Sequence, residues 1–304
     1  MRSERERERE GRGGEGGAMS LSGEGHQEAA KGEKRRPDSE HQVALTSKPK
    51  KRLYRARAHS NPLNDHSFDV PLTPKHVNWS AHYPAWFQQQ QEQPGDQQHD
   101  SSHQDQDKVA KEVEHLDVGC GFGGFLIKLA ELYPDKLSLG LELRDKVTEY
   151  VAARIETLRE NAAKAGGGES TTDYGNVAVL RANAQKDLPH YFRKAQLTKV
   201  FFLFPDPHFK ACNHRRRIIS QQLLDEYAHF IRPGGLVYTI TDVEELGKWM
   251  QGHLDRHPMF LRVSDEELER DGDEAFAFLP TASEEAQKVK RNEGRTYRAV
   301  FRRV

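Results

Sequence analysis

From residue 108 onward the chain alternates short apolar runs with stretches of helical periodicity. Val113-Glu114-His115-Leu116-Asp117-Val118 reads as a strand, and Leu137–Glu142, 176–181 and 199–204 repeat the pattern. Between them, 125–133 reads as a helix stopped by Pro134. Residues 144–165 read as a long helix ended by Gly166-Gly167-Gly168. A short helix is expected around 189–195. In 218–231, Ile219, Leu223, Tyr227 and Phe230 fall at helical spacing. Pro233-Gly234-Gly235 turns into a fifth strand at 236–241, 243–253 is again helical, and 298–302 ends the domain as a strand. Strands alternating with helices predict an α/β fold built on a doubly wound, mainly parallel sheet. No internal repeat interrupts it.

The fourth strand ends abruptly. Val200-Phe201-Phe202-Leu203-Phe204 runs into Pro205-Asp206-Pro207, so one carboxylate sits between two prolines. Each proline fixes its own φ and biases the preceding residue toward extended backbone. Asp206 is thereby displayed stiffly at a strand's carboxyl end, where open α/β sheets bind ligands.

Upstream the patterning changes character. Residues 1–47 hold alternating Arg and Glu, a glycine-rich stretch and scattered polar residues, too few apolar groups to offset ordering entropy. Lys48-Pro49-Lys50-Lys51-Arg52-Leu53-Tyr54-Arg55-Ala56-Arg57 is a basic cluster suited to nuclear import or to phosphate contact. Trp79, Tyr83, Trp86 and Phe87 follow closely, a density that predicts docking on the domain or on a partner. Gln, Asp, His and Ser dominate 88–107, read as a flexible insert. The expected organisation is a disordered tail over 1–56, a docking segment over 57–87, the insert over 88–107, and a compact domain over 108–304.

Composition agrees with a chain that is globular in part. Hydrophobic residues make up 35% and the mean hydropathy is -0.87. A net charge of -1 makes any basic signal regional. Cys120 and Cys212 can form neither a disulfide framework nor a structural zinc site, so no metal is expected and a reducing compartment fits. No apolar run reaches membrane-spanning length, so no membrane contact is expected. The opening Arg-Glu alternation is read as excluding a secretory signal.

Gly119, Gly121 and Gly124 satisfy G-x-G-x-x-G between the first strand and its helix, where glycines admit close ligand approach. Glu142 ends the second strand about twenty residues after Gly121, spacing that suits a carboxylate accepting from ribose hydroxyls. A dinucleotide and S-adenosylmethionine both meet these requirements. Three features favour the latter: Asp117 two residues before the first glycine, Asn183-Ala184 after the third strand, and the clamped Asp206. An oxidoreductase would need a hydride-partner His or Tyr beside the fourth strand, and none is evident. A non-catalytic RNA-binding subunit is the other alternative.

Asp117-Val118-Gly119-Cys120-Gly121, Leu141-Glu142-Leu143-Arg144 and Arg181-Ala182-Asn183-Ala184 occur in order, followed by Phe202-Leu203-Phe204-Pro205-Asp206-Pro207-His208-Phe209-Lys210 and Thr281-Ala282-Ser283-Glu284-Glu285. Together they resemble the tRNA (guanine-N7)-methyltransferase family, from Arg57-Ala58-His59-Ser60-Asn61-Pro62 to the C-terminus, interrupted by the 88–107 insert. The resemblance implies a class I, Rossmann-like fold with a seven-stranded sheet and methyl transfer from S-adenosylmethionine to the tRNA variable loop. It implies cofactor contacts at Gly119, Glu142, Arg144, Asn183, Ala184, Leu203, Ser283 and Glu285, with Asp206 catalytic. Ser283 stands where the family's usual residue is Thr, and keeps a hydroxyl. The early motif and basic tail look most like the eukaryotic catalytic subunit, which implies a nuclear location and a WD-repeat propeller partner.

Basic residues are expected to hold the tRNA backbone. Lys210, Arg215, Arg216 and Arg217, with His214 among them, follow Asp206 closely. Lys288, Lys290, Arg291, Arg295 and Arg298 form a second group near the C-terminus.

Overall fold

The computed structural model describes residues 47–57, 60–64, 68–87, 111–164 and 172–304. The Arg-Glu tail, the 88–107 insert, His59 and Gly166–Gly168 lie outside them.

Among the described residues seven strands form one sheet: β1 (Val113–Val118), β2 (Leu137–Glu142), β3 (Val177–Arg181), β4 (Leu197–Leu203), β5 (Ile231–Thr241), β6 (Phe260–Val263) and β7 (Tyr297–Arg303). Their order is β3-β2-β1-β4-β5-β7-β6. The first five pair in parallel, while β7 runs antiparallel to both β5 and β6. The helices are α1 (Trp79–His82), α2 (Pro84–Phe87), α3 (Gly124–Leu132), α4 (Asp145–Lys164), α5 (Leu188–Tyr191), α6 (Gln221–Phe230), α7 (Glu244–Asp255), α8 (Asp265–Arg270), α9 (Glu274–Phe278) and α10 (Glu284–Arg291). Among the described residues no helix is long and apolar enough to cross a membrane.

The chain builds outward from β1 to β3, then returns to place β4 on the other side of β1. This reversal leaves a crevice beyond the carboxyl ends of β1 and β4, the place where such sheets bind ligands. β4 explains why the crevice is firm. Val200 and Phe202 face one core, while Phe201 and Leu203 face the other, as the two-residue period of a strand requires. Phe201 stacks on Tyr238 with ring centroids 4.5 Å apart and meets Phe125 edge-on at 4.8 Å.

The aromatic segment docks on this domain. Tyr83 is fully buried and its hydroxyl donates to the Ser138 carbonyl at 2.9 Å, while Trp79, Trp86 and Phe87 pack around the larger core. Lys51 and Tyr54, in the segment read from sequence as tail, also touch the domain. Lys51 lies 4.2 Å from the Phe122 ring centroid and 3.3 Å from Glu284, and Tyr54 meets Tyr150 at 5.5 Å. An aromatic and a cation within the basic cluster found an aromatic surface and a carboxylate, which composition alone did not reveal.

Three boundaries moved for local reasons. α5 stops at Tyr191 rather than near 195, because Phe192 leaves the helix in extended backbone. Ser220 accepts from the Leu223 amide and so starts α6 three residues later than expected. Pro233-Gly234-Gly235 forms an irregularity inside a longer β5, where the register to β4 shifts and Gly234 takes φ +81.

Candidate active site

The loop after β1 passes through three left-handed residues, Gly119, Gly121 and Gly123, with φ of +73, +54 and +75. Side chains rarely adopt such angles, so the glycines are required by the turn itself. The Gly119 and Cys120 amides both donate to the Leu141 carbonyl, which ties the loop to β2. Burial pushes the Cys120 thiol well up, consistent with a packing role. At the start of α3 the Gly124 amide donates to Glu284 at 3.1 Å. Glu284 also accepts from Arg154 at 3.0 Å, and Arg154 donates to the Phe122 carbonyl at 2.7 Å. A residue of the last helix thus clamps the glycine loop. The sequence held no local signal of this, because the two partners are 160 positions apart.

At the ends of β2 and β3 the expected binding residues converge. Glu142 is nearly buried and accepts from Arg144 three times, at its amide (2.9 Å), Nε (3.0 Å) and Nη2 (2.9 Å). Asn183 is more committed than expected: its Nδ2 donates to the Pro62 carbonyl at 2.6 Å and its Oδ1 accepts from the Gln185 amide. It therefore holds the upstream segment against the site, while Ala184 contributes an apolar wall.

After β4, Phe204 takes φ +49 and His208 φ +46, so two left-handed non-glycine residues bracket Pro205-Asp206-Pro207. Such backbone costs about 1–3 kcal/mol per residue and persists where surrounding contacts impose it. Those contacts are present. The Phe204 amide donates to the Ile240 carbonyl at 2.8 Å, and the Pro207 carbonyl accepts from Arg217 at 2.9 Å.

A cavity of about 180 Å³ opens between these loops. Gly119, Glu142, Arg144, Asn183, Ala184, Leu203 and Asp206 all line it, with Ser60, Pro62 and Arg216 at its margins. Behind Val118 and Gly119 lies Asp117, 1% exposed, with neither carboxylate oxygen partnered among the described residues. Burial, reinforced by Glu142, Glu284 and Glu285, pushes its acid up to about 8. An unpaired buried carboxylate is costly, and a cationic ligand group would relieve that cost.

Residues 111–299 match the family model described as "Putative methyltransferase". A tRNA (guanine-N7)-methyltransferase of Zea mays is 53% identical over 256 residues, covering 84% of this chain and 93% of the relative. The like-named protein of Arabidopsis thaliana is 52% identical over 85% of this chain and 93% of its own length. That of Drosophila willistoni is 49% identical over 86% and 93%. The chain belongs to the tRNA (guanine-N7)-methyltransferase family.

Not every residue that the family pattern singled out reaches the cavity. Ser283 is buried and caps α10, accepting from the Ala286 amide at 3.0 Å. Glu285 approaches the glycine loop instead, with Oε2 4.0 Å from where a Cβ on Gly121 would lie. Lys210 and Arg215 are exposed outside the cavity, while Arg216 lines it.

Arg217 departs from its expected role. It is 1% exposed, donates to Glu245 at 2.9 and 2.8 Å, and lies 4.6 Å from the Trp249 ring centroid. A guanidinium so enclosed is not available to an RNA phosphate; it fastens the Asp206 loop from behind. In the second basic group, Lys288, Lys290, Arg291 and Arg295 are exposed, but Arg298 pairs with Asp265 at 2.9 Å.

Proposed function

We propose that this chain transfers a methyl group from S-adenosylmethionine to N7 of a guanine in the tRNA variable loop. The observation that carries the reading is Asp206, held between prolines at the rim of a cavity that family-matching residues line. Bound S-adenosylmethionine supplies a methyl group on a positively charged sulfur. The chain's residues fit that ligand: Asp117 offers an unpartnered carboxylate to an ammonium group, Glu142 an acceptor-rich rim for ribose hydroxyls, and Ala184 and Leu203 apolar walls for a base.

Guanine N7 carries an in-plane lone pair and no proton, so no general base is needed to expose it. The protein's task is alignment, which is catalysis by proximity and orientation. Guanine presents N1–H and N2–H₂ donors on one edge, and an ionised carboxylate only accepts. Asp206 fits that edge, selecting guanine over adenine and fixing its angle. The target base must leave its stack to reach such a cavity.

In this reading the subunit works in the nucleus, in a heterodimer with a WD-repeat propeller protein. The exposed Lys48, Lys50 and Arg52 support the location, and the family resemblance supports the partner. The test is incubation of the chain with tRNA and methyl-labelled S-adenosylmethionine, alone and with a WD-repeat subunit. Mapping by borohydride reduction and aniline scission should give a single cut in the variable loop. A cut elsewhere, or preferential binding of NAD over S-adenosylhomocysteine, would overturn the reading.

A further inference from the structure

Phe209 is 72% exposed although it stands three residues from Asp206. Isolated surface apolar groups are ordinary and need no explanation. This one differs in its setting. The backbone that presents it is fixed by Pro205, by Pro207, by the left-handed φ of His208 and by the Arg217 hydrogen bond to the Pro207 carbonyl. The backbone leading into it is therefore restrained by the same loop that presents Asp206.

The surroundings identify the occupant. No Asp or Glu occurs between Asp206 and Asp225, while Lys210, His214, Arg215 and Arg216 all fall there. An apolar ring in a stretch whose charged side chains are all cationic suits a polyanion that carries apolar faces. Three Cα steps bound the Asp206–Phe209 separation at about 11 Å. Stacked bases lie about 3.4 Å apart, so Phe209 is within reach of the nucleotides next to one held at Asp206. Lifting a guanine out of its stack exposes the π-face of each neighbour, and an aromatic side chain can replace the lost contact.

We infer that Phe209 is the stacking platform for an RNA base adjacent to the target guanine. The inference rests on the methyltransferase reading above. Phe209 holds the gap in the RNA stack open, and Lys210 and Arg215 take the flanking phosphates. It is a positioning residue and does not touch the transferred methyl.

The experiment compares wild type with Phe209→Ala, Phe209→Leu and Phe209→Trp, each full-length and with its WD-repeat subunit. Measured are S-adenosylhomocysteine affinity, heterodimer formation and kcat/KM on tRNA. A tRNA carrying 2-aminopurine beside the target guanine reports stacking by quenching. Phe209→Ala and Phe209→Leu should each lose tenfold or more in kcat/KM. Phe209→Trp should stay within about threefold, because stacking needs a ring rather than a particular one. The 2-aminopurine signal should be brighter with Leu than with Phe or Trp, and nucleoside affinity should not move.

Equal activity of the Leu and Trp variants, or loss traced to failed heterodimer formation, would overturn the stacking role and point to a protein contact. Unchanged kcat/KM in Phe209→Ala would also overturn it while leaving the methyltransferase reading intact. A wild type that binds S-adenosylhomocysteine but never methylates tRNA would defeat that reading, and the inference with it.

Discussion

Arg217 Nε donates to the Pro207 carbonyl at 2.9 Å while its two terminal nitrogens hold the Glu245 carboxylate. One buried guanidinium therefore links α7 to the loop that carries Asp206. Three donors in a fixed fork make this possible, and lysine has no such fork. Arg217→Lys should lower kcat at least tenfold while S-adenosylhomocysteine affinity stays near wild type. Arg217→Ala should also destabilise the fold by about 1–3 kcal/mol, because the Pro207 carbonyl loses its donor. Thermal unfolding beside single-turnover methylation separates the two effects. Wild-type turnover in Arg217→Lys would show that the linkage does not position Asp206.

Asp206→Asn is nearly isosteric but replaces one acceptor oxygen with a donor. Facing guanine's N1–H and N2–H₂ edge, that amide meets donor with donor. Turnover at subsaturating tRNA should fall a hundredfold or more, in the range that loss of a positioned charge-assisted contact produces. Methylation within about twofold of wild type would refute the guanine-edge role.

The parallel half of the sheet was legible because 177–180 and 200–203 are apolar, leucines alternate along β2, and β1 runs directly into the glycine loop. The Asp206 loop was legible for the same reason: two prolines and a carboxylate state their geometry locally. The C-terminal third was not. β6, α8, α9 and α10 are each too short to show a sustained period, although Ser264-Asp265-Glu266-Glu267 is a recognisable helix start and Ser264 does accept from the Glu267 amide. Arg217 was misread because its neighbours Arg215 and Arg216 face solvent or the cavity. Its burial depends on Glu245 and Trp249, which are distant in sequence. The Glu284 clamp on Gly124 was invisible for the same reason, since partnership across the fold leaves no mark on spacing.

The burial of Arg217 changes which cations should be tested for RNA contact. Lys210 and Arg215 are exposed, so charge removal there leaves the fold alone. Lys210→Ala with Arg215→Ala should weaken tRNA binding at low salt and reduce the slope of log K against log salt by about two, one per phosphate contact. S-adenosylhomocysteine binding should not change. A filter-binding series across salt concentration gives the slope, and a slope equal to that of wild type would remove both residues from the RNA track.

Asp117 makes ligand binding depend on pH in a definite direction. In the free protein burial holds its acid at about 8, with Glu142 the next cause, so at pH 7 the carboxyl is largely protonated. An ammonium group placed beside it favours the charged form and lowers that value. Binding therefore releases a proton, and affinity for S-adenosylhomocysteine should rise with pH up to about 8, by at most about tenfold per unit. 5′-Methylthioadenosine lacks the amino-acid portion and should bind without that release. Stability of the free protein carries the opposite sign. The folded state binds one more proton than the unfolded state between the ordinary carboxylate range and about 8, so this group's contribution falls as pH rises through that window. Asp117→Asn should abolish both the proton release and that slope, and should weaken S-adenosylhomocysteine more than 5′-methylthioadenosine. Calorimetry in buffers of different ionisation enthalpy measures the proton directly. Equal proton exchange for the two ligands would place the ammonium elsewhere.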